Sequence, residues 1–594
     1  MSSFLQYYEA ELDLMRRSLA EFEAANPEKA RALGLSAGRS RDPDLQRLSD
    51  GFAYVAARLQ KQMEDANGDI ALDLLRTVAP SLLLGAPSHI CLVPASDADL
   101  PDDPVTLAAG TRVPFMHDAQ VSCVYTLART VELAPLVLTG LRMETVPLSH
   151  AVPPGVDKVE GALILEVRSK DPGRSLAQSL GRKLEFYLPR QTSHRRRIAE
   201  ALAADVKGVA VAATGSSSAG VLLGADALGR VMAGGHNGFL PQFFSQPQGM
   251  EQLHDFLAYP DQAYAFRLGQ LARGAQLLEA GTAEFRIFLG RRGMEHIRRV
   301  EPGDIVLNAL PCLNLFETMS EPQHYSFARD RMPVRVPRGQ GARPEILRLR
   351  SVTRLTPDGE TILPELAAPV GVAGAQGPVW QERMFSGEPD PARRDISLSI
   401  PEDDGLTDTG LDLVAQLLCS NGAAAMRLRP GERVRIDNDD LADADFAVLE
   451  EPSPAVPARL DSNRRWDLVA LIGGNFNALL SEDDPARVLR DSLHLCAPTG
   501  YASDAKAIVA VNLARRFAPI RLDGQNLIAS GIWVDIVINP DYLSVPATVF
   551  GHVIADFLSS FVSHDRFVQI QMRENGADHP FFAPPRRHGS QMVS

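Results

Sequence analysis

Residues 4–22, FLQYYEAELDLMRRSLAEF, carry Leu5, Tyr8, Leu12, Met15, Leu19 and Phe22 in steps of three and four. That spacing returns one side chain per turn to the same line of an α-helix. At two apolar positions in seven the line is a narrow seam, which packs against another helix rather than a broad surface. Asn26-Pro27 ends or interrupts the helix, because proline disfavours helical geometry in the residue before it. Tyr8 falls in the seam and Tyr7 on the neighbouring face; tyrosine is a frequent anchor at interfaces.

A second helix follows Asp42-Pro43, with aspartate as cap and proline at the first helical position. Its stripe is Leu45, Leu48, Phe52, Val55, Leu59 and Met63, in the same steps. A third helix, Ile70 to Val78, stops before Pro80. Two such seams in succession pack as a helical hairpin, or enter a bundle with helices from other subunits. The spacing is compatible with both.

From Ser88 the texture changes to short apolar runs between Pro, Gly and Asp: His89–Val93, Ala162–Val167, Lys183–Leu188 and Glu284–Leu289. KLEFYL and AEFRIFL alternate as strands with one buried face. Helices interrupt this texture at Arg195–Ala204 and Met250–Ala258, and Gly/Pro-rich loops at Ala368–Pro378 and Gly387–Pro391. Further on, Arg464–Leu480 and Pro485–Cys496 hold apolar residues at strand or helix spacing. IWVDIVIN (Ile532–Asn539) then reads as a strand, the segment after Pro546 as a helix burying Phe550, Val553, Ile554, Phe557 and Phe561, and RFVQIQM as a last strand. The fold class is therefore α+β. Residues 1–87 are helical, 88–310 a β-rich body, 311–460 a mixed β and loop region, and 461–594 a C-terminal α+β segment. No internal repeat of fixed period is visible.

Function classes narrow by elimination. The net charge of −14 disfavours nucleic acid or an anionic membrane as the partner of the whole chain. The charge-free window Gly208–Ala225 has Gly-Ser-Ser-Ser-Ala-Gly at its centre, so it reads as two short strands around a loop. The five cysteines stand far apart, without CxxC or Cys/His ligand spacing, as suits a reducing compartment. The acidic start lacks the basic and apolar regions of a signal peptide.

No phosphate loop, dinucleotide fingerprint or HExxH occurs. The glycines of Gly215-Ser216-Ser217-Ser218-Ala219-Gly220 are too far apart for a nucleophile elbow. The acidic cluster Asp437–Asp445 lacks the glycine and glutamate of a calcium loop and reads as a solvated loop. His254-Asp255 and His564-Asp565 are adjacent pairs whose side chains diverge. His194-Arg195-Arg196-Arg197 reads as the polar start of a helix. Eight arginines lie between Arg329 and Arg354 (329, 331, 335, 338, 343, 348, 350, 354), against Asp330 and Glu345. Such forks suit carboxylates as well as phosphates, so the strip reads as protein contact or internal pairing, with nucleic-acid binding as the alternative. An empty chemical search favours a structural or interaction protein.

Specific segments add a family resemblance. FLQYYEAELDLMRR, ANPEKARALGL, DPDLQRLSDGFAYVAARLQKQMED and LLRTVAPSLL resemble, in order, the start of the TssF (VasA/ImpG) family of type VI secretion baseplate subunits. LPCLNLFETMSEP (Leu310–Pro322) resembles that family's PxxNLFE segment, LLCSNG its CTN-type turn, and the stretch from Gly531 to Arg573 its closing strand-helix-strand. Departures are APSLLL where the family has a YPHYL-like run, and the missing Phe-x-Gly before the last helix.

The resemblance implies a cytoplasmic, non-enzymatic wedge subunit with no cofactor. Two copies would join one TssG-like chain, bind TssK-like subunits outside, and surround the spike hub on which the sheathed tail is built. Membrane contact would come only through other subunits of the inner-membrane-docked apparatus. The candidate partner interface is Leu5, Tyr8, Leu12, Met15, Leu19, Phe22, Leu45, Leu48, Phe52, Val55, Leu59, Asn314, Leu315 and Phe316.

Overall fold

A computed structural model describes residues 4–32, 34–36, 39–40, 42–117, 120–231, 248–294, 297, 299–337, 344–366, 377–384, 394–399, 410–458, 462–473, 484–498, 502–522, 525–563 and 566–589. The loops expected at 368–378 and 387–391 fall almost entirely outside these residues.

The N-terminal helix α1 spans Phe4–Ala25. A single helix α2 then runs 36 residues, Pro43–Val78, where the sequence suggested two. No proline lies between Pro43 and Pro80, and the two glycines, Gly51 and Gly68, cost only about 1 kcal/mol each, too little to break a helix packed elsewhere. The Asp42 carboxylate caps α2, accepting from the Asp44 amide at 2.9 Å, with Pro43 at the first position. At about 1.5 Å per residue α2 is roughly 54 Å long.

The body is built from β-sheets. A six-stranded sheet runs in the order Arg433–Val434, Phe446–Val448, His89–Pro94, Leu310–Leu313, Gln120–Leu127, Arg112–His117. It draws strands from both sides of the 310/311 division read from composition. A five-stranded sheet is ordered Val221–Leu222, Val206–Ala212, Thr282–Leu289, Gly161–Ser169, Leu136–Thr145. The window Gly208–Ala225 is thus an antiparallel pair of strands about a turn, and among the described residues no helix is long and apolar enough to cross a membrane. A four-stranded sheet centred on Leu184–Tyr187 lies beside these, and the long strands Glu345–Thr356 and Leu411–Ser420 form another sheet.

Strand AEFRIFL buries both faces, not one. Its polar face is consumed internally: Glu284 pairs with Arg286 at 2.7 Å and with Arg142 at 2.8 Å. Arg286 donates to the Ser216 and Ser218 carbonyls, and the Gly215 amide donates to Glu284 at 2.9 Å. The serine-rich loop is therefore a cover clamped over two buried charges.

The C-terminal sheet is ordered Ile508–Leu522, Gln525–Ile538, Phe567–Glu574, Arg587–His588. Its second and third strands are parallel, joined through the helix Ala547–Ser559, so the expected strand-helix-strand is present. That helix has no cap of its own; Glu200, from the helix Arg195–Ala204, accepts from the Thr548 amide at 3.4 Å. The helices Arg195–Ala204 and Gln248–Ala258 match the expected ones. Of the two segments whose spacing suits strand or helix, Ser462–Gly473 and Pro485–Cys496 are helical, with 474–480 outside the described residues.

Two histidines, buried His254 and half-buried His552, give the fold a pH dependence. Burial pushes both His254 and His552 down to about 4. The unfolded chain takes up those protons near pH 6.5 and the folded chain does not, so stability falls as pH drops from 6.5 toward 4. For fully buried His254 the loss at pH 5 is on the order of 2 kcal/mol. Urea unfolding midpoints are expected to fall between pH 7 and pH 5, and to fall less in His254→Gln. An unchanged slope in that variant would contradict the assignment.

Candidate interaction surface

The stripe read from α2 faces solvent. Leu48, Phe52, Val55, Leu59 and Met63 are exposed, and the line continues through Ile70, Leu74 and Val78, all between 37% and 65% exposed. It covers about 45 Å of one helix face. Among the described side chains, the buried positions in the first half of α2 are Ala53 and Ala57, and α1 meets α2 with Phe4 edge-on to Tyr54 at 5.2 Å. The large residues of the stripe point outward.

On α1, Tyr8, Leu12, Met15 and Leu19 are half-buried while Leu5 and Phe22 remain exposed. The side chain of Leu45 lies outside those described. Ile70, Leu74, Val78, Leu14 and Trp466 are exposed large side chains absent from the candidate set. Continuing the three-four spacing past Met63 would have found the first three. The inner end of α2 is anchored by buried Leu72, Leu75 and Arg76, and by Asp73 paired with Arg383 at 2.6 Å. A long apolar face is thus held on a fixed base.

Asn314, Leu315 and Phe316 belong inside instead. Asn314 is 0% exposed, and Leu315 and Phe316 are buried. The Asn314 side-chain amide donates to the Val124 carbonyl at 2.8 Å and to Asn421 Oδ1 at 3.0 Å, while its own oxygen accepts from the Asn421 amide at 2.7 Å. Asn421 Oδ1 in turn accepts from the Val124 amide at 2.8 Å. The NLFE and CSNG segments therefore clasp each other and the six-stranded sheet. These three residues are corrected from interface to internal positions, because their hydrogen-bonding capacity is used within the chain.

The arginine strip turns inward only in its second half: Arg348, Arg350 and Arg354 are half-buried, whereas Arg329, Arg331 and Arg335 are exposed. Arg350 faces Glu317 at 3.5 Å, and Arg348 lies in the field of Glu382 and Glu365, with burial lowering its pKa. Arg338 and Arg343 lie outside the described residues. This pairing takes Arg348 and Arg350 out of any phosphate-binding face. In the acidic cluster, Asn438 caps the turn Asp439–Leu441 and Asp445 pairs with Arg435 at 3.0 Å. Among the described residues no group of His, Cys, Asp or Glu could hold a metal ion. All five cysteines are free and buried, and burial pushes the Cys419 and Cys496 thiols up to about 12. His254 and Asp255 are both buried on one helix; His564-Asp565 lies outside the described residues.

One arrangement imitates catalytic machinery. Ser453 Oγ lies 2.6 Å from His89 Nδ1, and His89 Nε2 lies 3.2 Å from Asp261. Arg190 approaches the same Nε2 at 2.8 Å, and burial lowers the His89 pKa, so the ring is neutral. Nε2 thus lies between the Asp261 carboxylate and the Arg190 guanidinium, inside a buried charge network. Nucleophilic catalysis needs the serine open to a substrate, and here it is closed off from solvent. Ser453 Oγ also accepts from the His89 amide at 2.8 Å, and all three residues are buried.

The cluster holds charge. Asp261 is paired with Arg190 at 2.5 Å and Arg195 at 2.7 Å, and Glu450 with Arg190 at 3.1 Å. Burial alone would raise Asp261, but His89 and the two arginines hold it well below the usual carboxylate range. Arg195 also stacks on Tyr264, 3.6 Å from the ring centre, so this arginine is an inward anchor and not part of a solvated helix start. Asp261→Asn is expected to lower stability by about 3–5 kcal/mol, measured by urea unfolding, because it strands two cations. A fluorophosphonate probe is expected to leave Ser453 unmodified; labelling there would overturn the structural reading.

A family model for the type VI secretion protein TssF matches residues 1–591. TssF1 of Pseudomonas aeruginosa is 33% identical over 136 residues, a stretch covering 22% of this chain and 22% of that protein. The matched stretch thus spans about a fifth of that relative. A chain in the cryo-electron microscopy structure of a type VI secretion TssK-TssF-TssG baseplate subcomplex superposes with a TM-score of 0.70 at 17% identity, over 92% of this chain and 99% of that one. A chain of a type VI secretion baseplate complex superposes at 0.54 and 16% identity, over 96% and 97%. At these identities the superpositions establish the fold.

Proposed function

The chain belongs to the TssF family of type VI secretion systems, and on that premise we propose that it is a structural wedge subunit of the baseplate, acting by binding alone. Its partners are TssG-like and TssK-like subunits and a second copy of itself, assembled around the spike hub beneath the sheath. Its place is cytoplasmic, reaching the inner membrane through other subunits. The observation that carries the reading is the exposed stripe on α2, which we assign to a helix-lined contact with the TssG-like partner. The complexes in which the solved relatives occur support that assignment.

Magnitudes bound the contact. Covering the exposed parts of eight large side chains yields about 1 kcal/mol each, on the order of 8 kcal/mol in all. Association costs roughly 4–15 kcal/mol before anything is gained. The stripe alone is therefore marginal, and a stable wedge recruits the exposed Leu5, Leu14 and Phe22 of α1 as well.

Co-expression with the neighbouring TssG-like protein, followed by size exclusion with mass determination, is expected to give a complex holding two copies of this chain. Phe52→Glu/Leu59→Glu is expected to abolish that complex and leave the unfolding midpoint of the lone chain unchanged, since both residues are solvent-facing in the monomer. Wild-type assembly by the double variant would sink the assignment of α2. A monomer that ignores the partner would sink the wedge reading itself.

A further inference from the structure

The C-terminal hairpin Ile508–Leu522/Gln525–Ile538 has a face the wedge contact does not use. Strand alternation puts Val511, Leu513, Arg515, Phe517 and Pro519 on one face, with Ile528, Ser530, Ile532, Val534, Ile536 and Ile538 opposite them across the ladder. At the base that face is core: Val511, Ile532, Val534, Ile536 and Ile538 are buried against the central apolar cluster. Toward the tip it runs on uncovered, with Phe517 77% and Ile528 80% exposed and Pro519 beside them.

The other face is finished. There Ala518 and Ala529 are buried with Phe567, whose ring lies so close to Gly531 that a Cβ at that position would meet it at 2.4 Å. Arg516 stacks on Trp533 at 4.0 Å. Small residues thus sit under the covering ring and large apolar ones face water. An arm that served only as a solvated extension would have no reason for large apolar residues on its bare side.

Two features limit what can dock. Ile508–Leu522 is the edge strand of its sheet, but Pro519 has no N–H and cannot donate across the edge, so continuous strand addition is disfavoured. Contact must come through the face. The described charged side chains at the exposed end are Arg515 and Arg516, in a chain of net charge −14, and an aromatic flanked by arginine is a common composition for an interface anchor.

We propose that this bare end seats Phe517 and Ile528 in an apolar groove rimmed by carboxylates on another kind of subunit in the baseplate complex. The inference rests on the assembly reading above and adds a second contact surface, distinct from α2 in both elements and chemistry.

The test uses the full chain co-purified with its TssG-like and TssK-like partners, carrying a photo-crosslinking phenylalanine at position 517 or, separately, at position 59. An adduct from position 517 to a carboxylate-bearing peptide of a partner chain is expected. Its yield is expected to fall in Arg515→Gln, fall further in Arg515→Glu, and drop at high salt. An intact complex giving an adduct from 59 but none from 517 would overturn the proposal while sparing the wedge reading. An adduct from 517 to a second copy of this chain, or one indifferent to charge reversal, would overturn it as well. An adduct from 517 with none from 59 would support it and remove the assignment of α2 instead.

Discussion

Asp261 is the charge on which the rest of the body is hung. Its carboxylate gathers Arg190, Arg195 and His89, and Arg190 reaches on to Glu450. These groups come from the six-stranded sheet, the turn after strand Leu184–Tyr187, the helix Arg195–Ala204 and the segment after Phe446–Val448. Burying charge is expensive unless every member is satisfied. The cluster therefore accepts few arrangements of its four segments, and sheets that apolar packing alone would let slide are fixed in one orientation. The Asn314–Asn421–Val124 clasp applies the same logic without charge. From this fixed body two elements project apolar faces, the helix α2 and the end of the C-terminal hairpin.

What the sequence disclosed and what it hid divide by distance along the chain. The helix Arg195–Ala204, the cap at Asp42 and the closing strand-helix-strand follow from local spacing and were readable, whereas the spacing in Pro485–Cys496 suits strand or helix and the segment is a helix. The α2 stripe was readable too, but its direction was not. The buried face of its first half carries Ala53 and Ala57, and spacing alone cannot tell which of two faces a hairpin uses. One-face burial failed for AEFRIFL because Glu284 and Arg286 look like a solvated face until a loop from residues 215–218 is folded over them. Nothing local marks Asp261 as the partner of His89, since 172 residues separate them.

The same separation explains the one feature that invites a catalytic reading. Serine, histidine and aspartate in a line carry no chemistry by themselves; access decides. Here all three are buried with a guanidinium against the ring, and Ser453 accepts from the His89 amide, tying a strand to the segment beside it. A protein whose buried charge clusters hold its own parts together keeps its working surface for apolar contact. That agrees with a family whose solved members are found in a baseplate.

The six-stranded sheet has a consequence for how the chain is made. Its third strand in spatial order, His89–Pro94, pairs on one side with Leu310–Leu313 and on the other with Phe446–Val448. Synthesis proceeds at about 5–20 residues per second, so the earliest strand waits roughly 20–70 s for its last neighbour to be translated. Until Leu310–Leu313 is made both its edges are open, thereafter one still is, and α2 has already been made with its apolar stripe uncovered. A ribosome making this chain therefore displays two sticky surfaces long before the body can close. Yield in the cell is set by how well chaperones, or a partner chain made alongside, shield them during elongation.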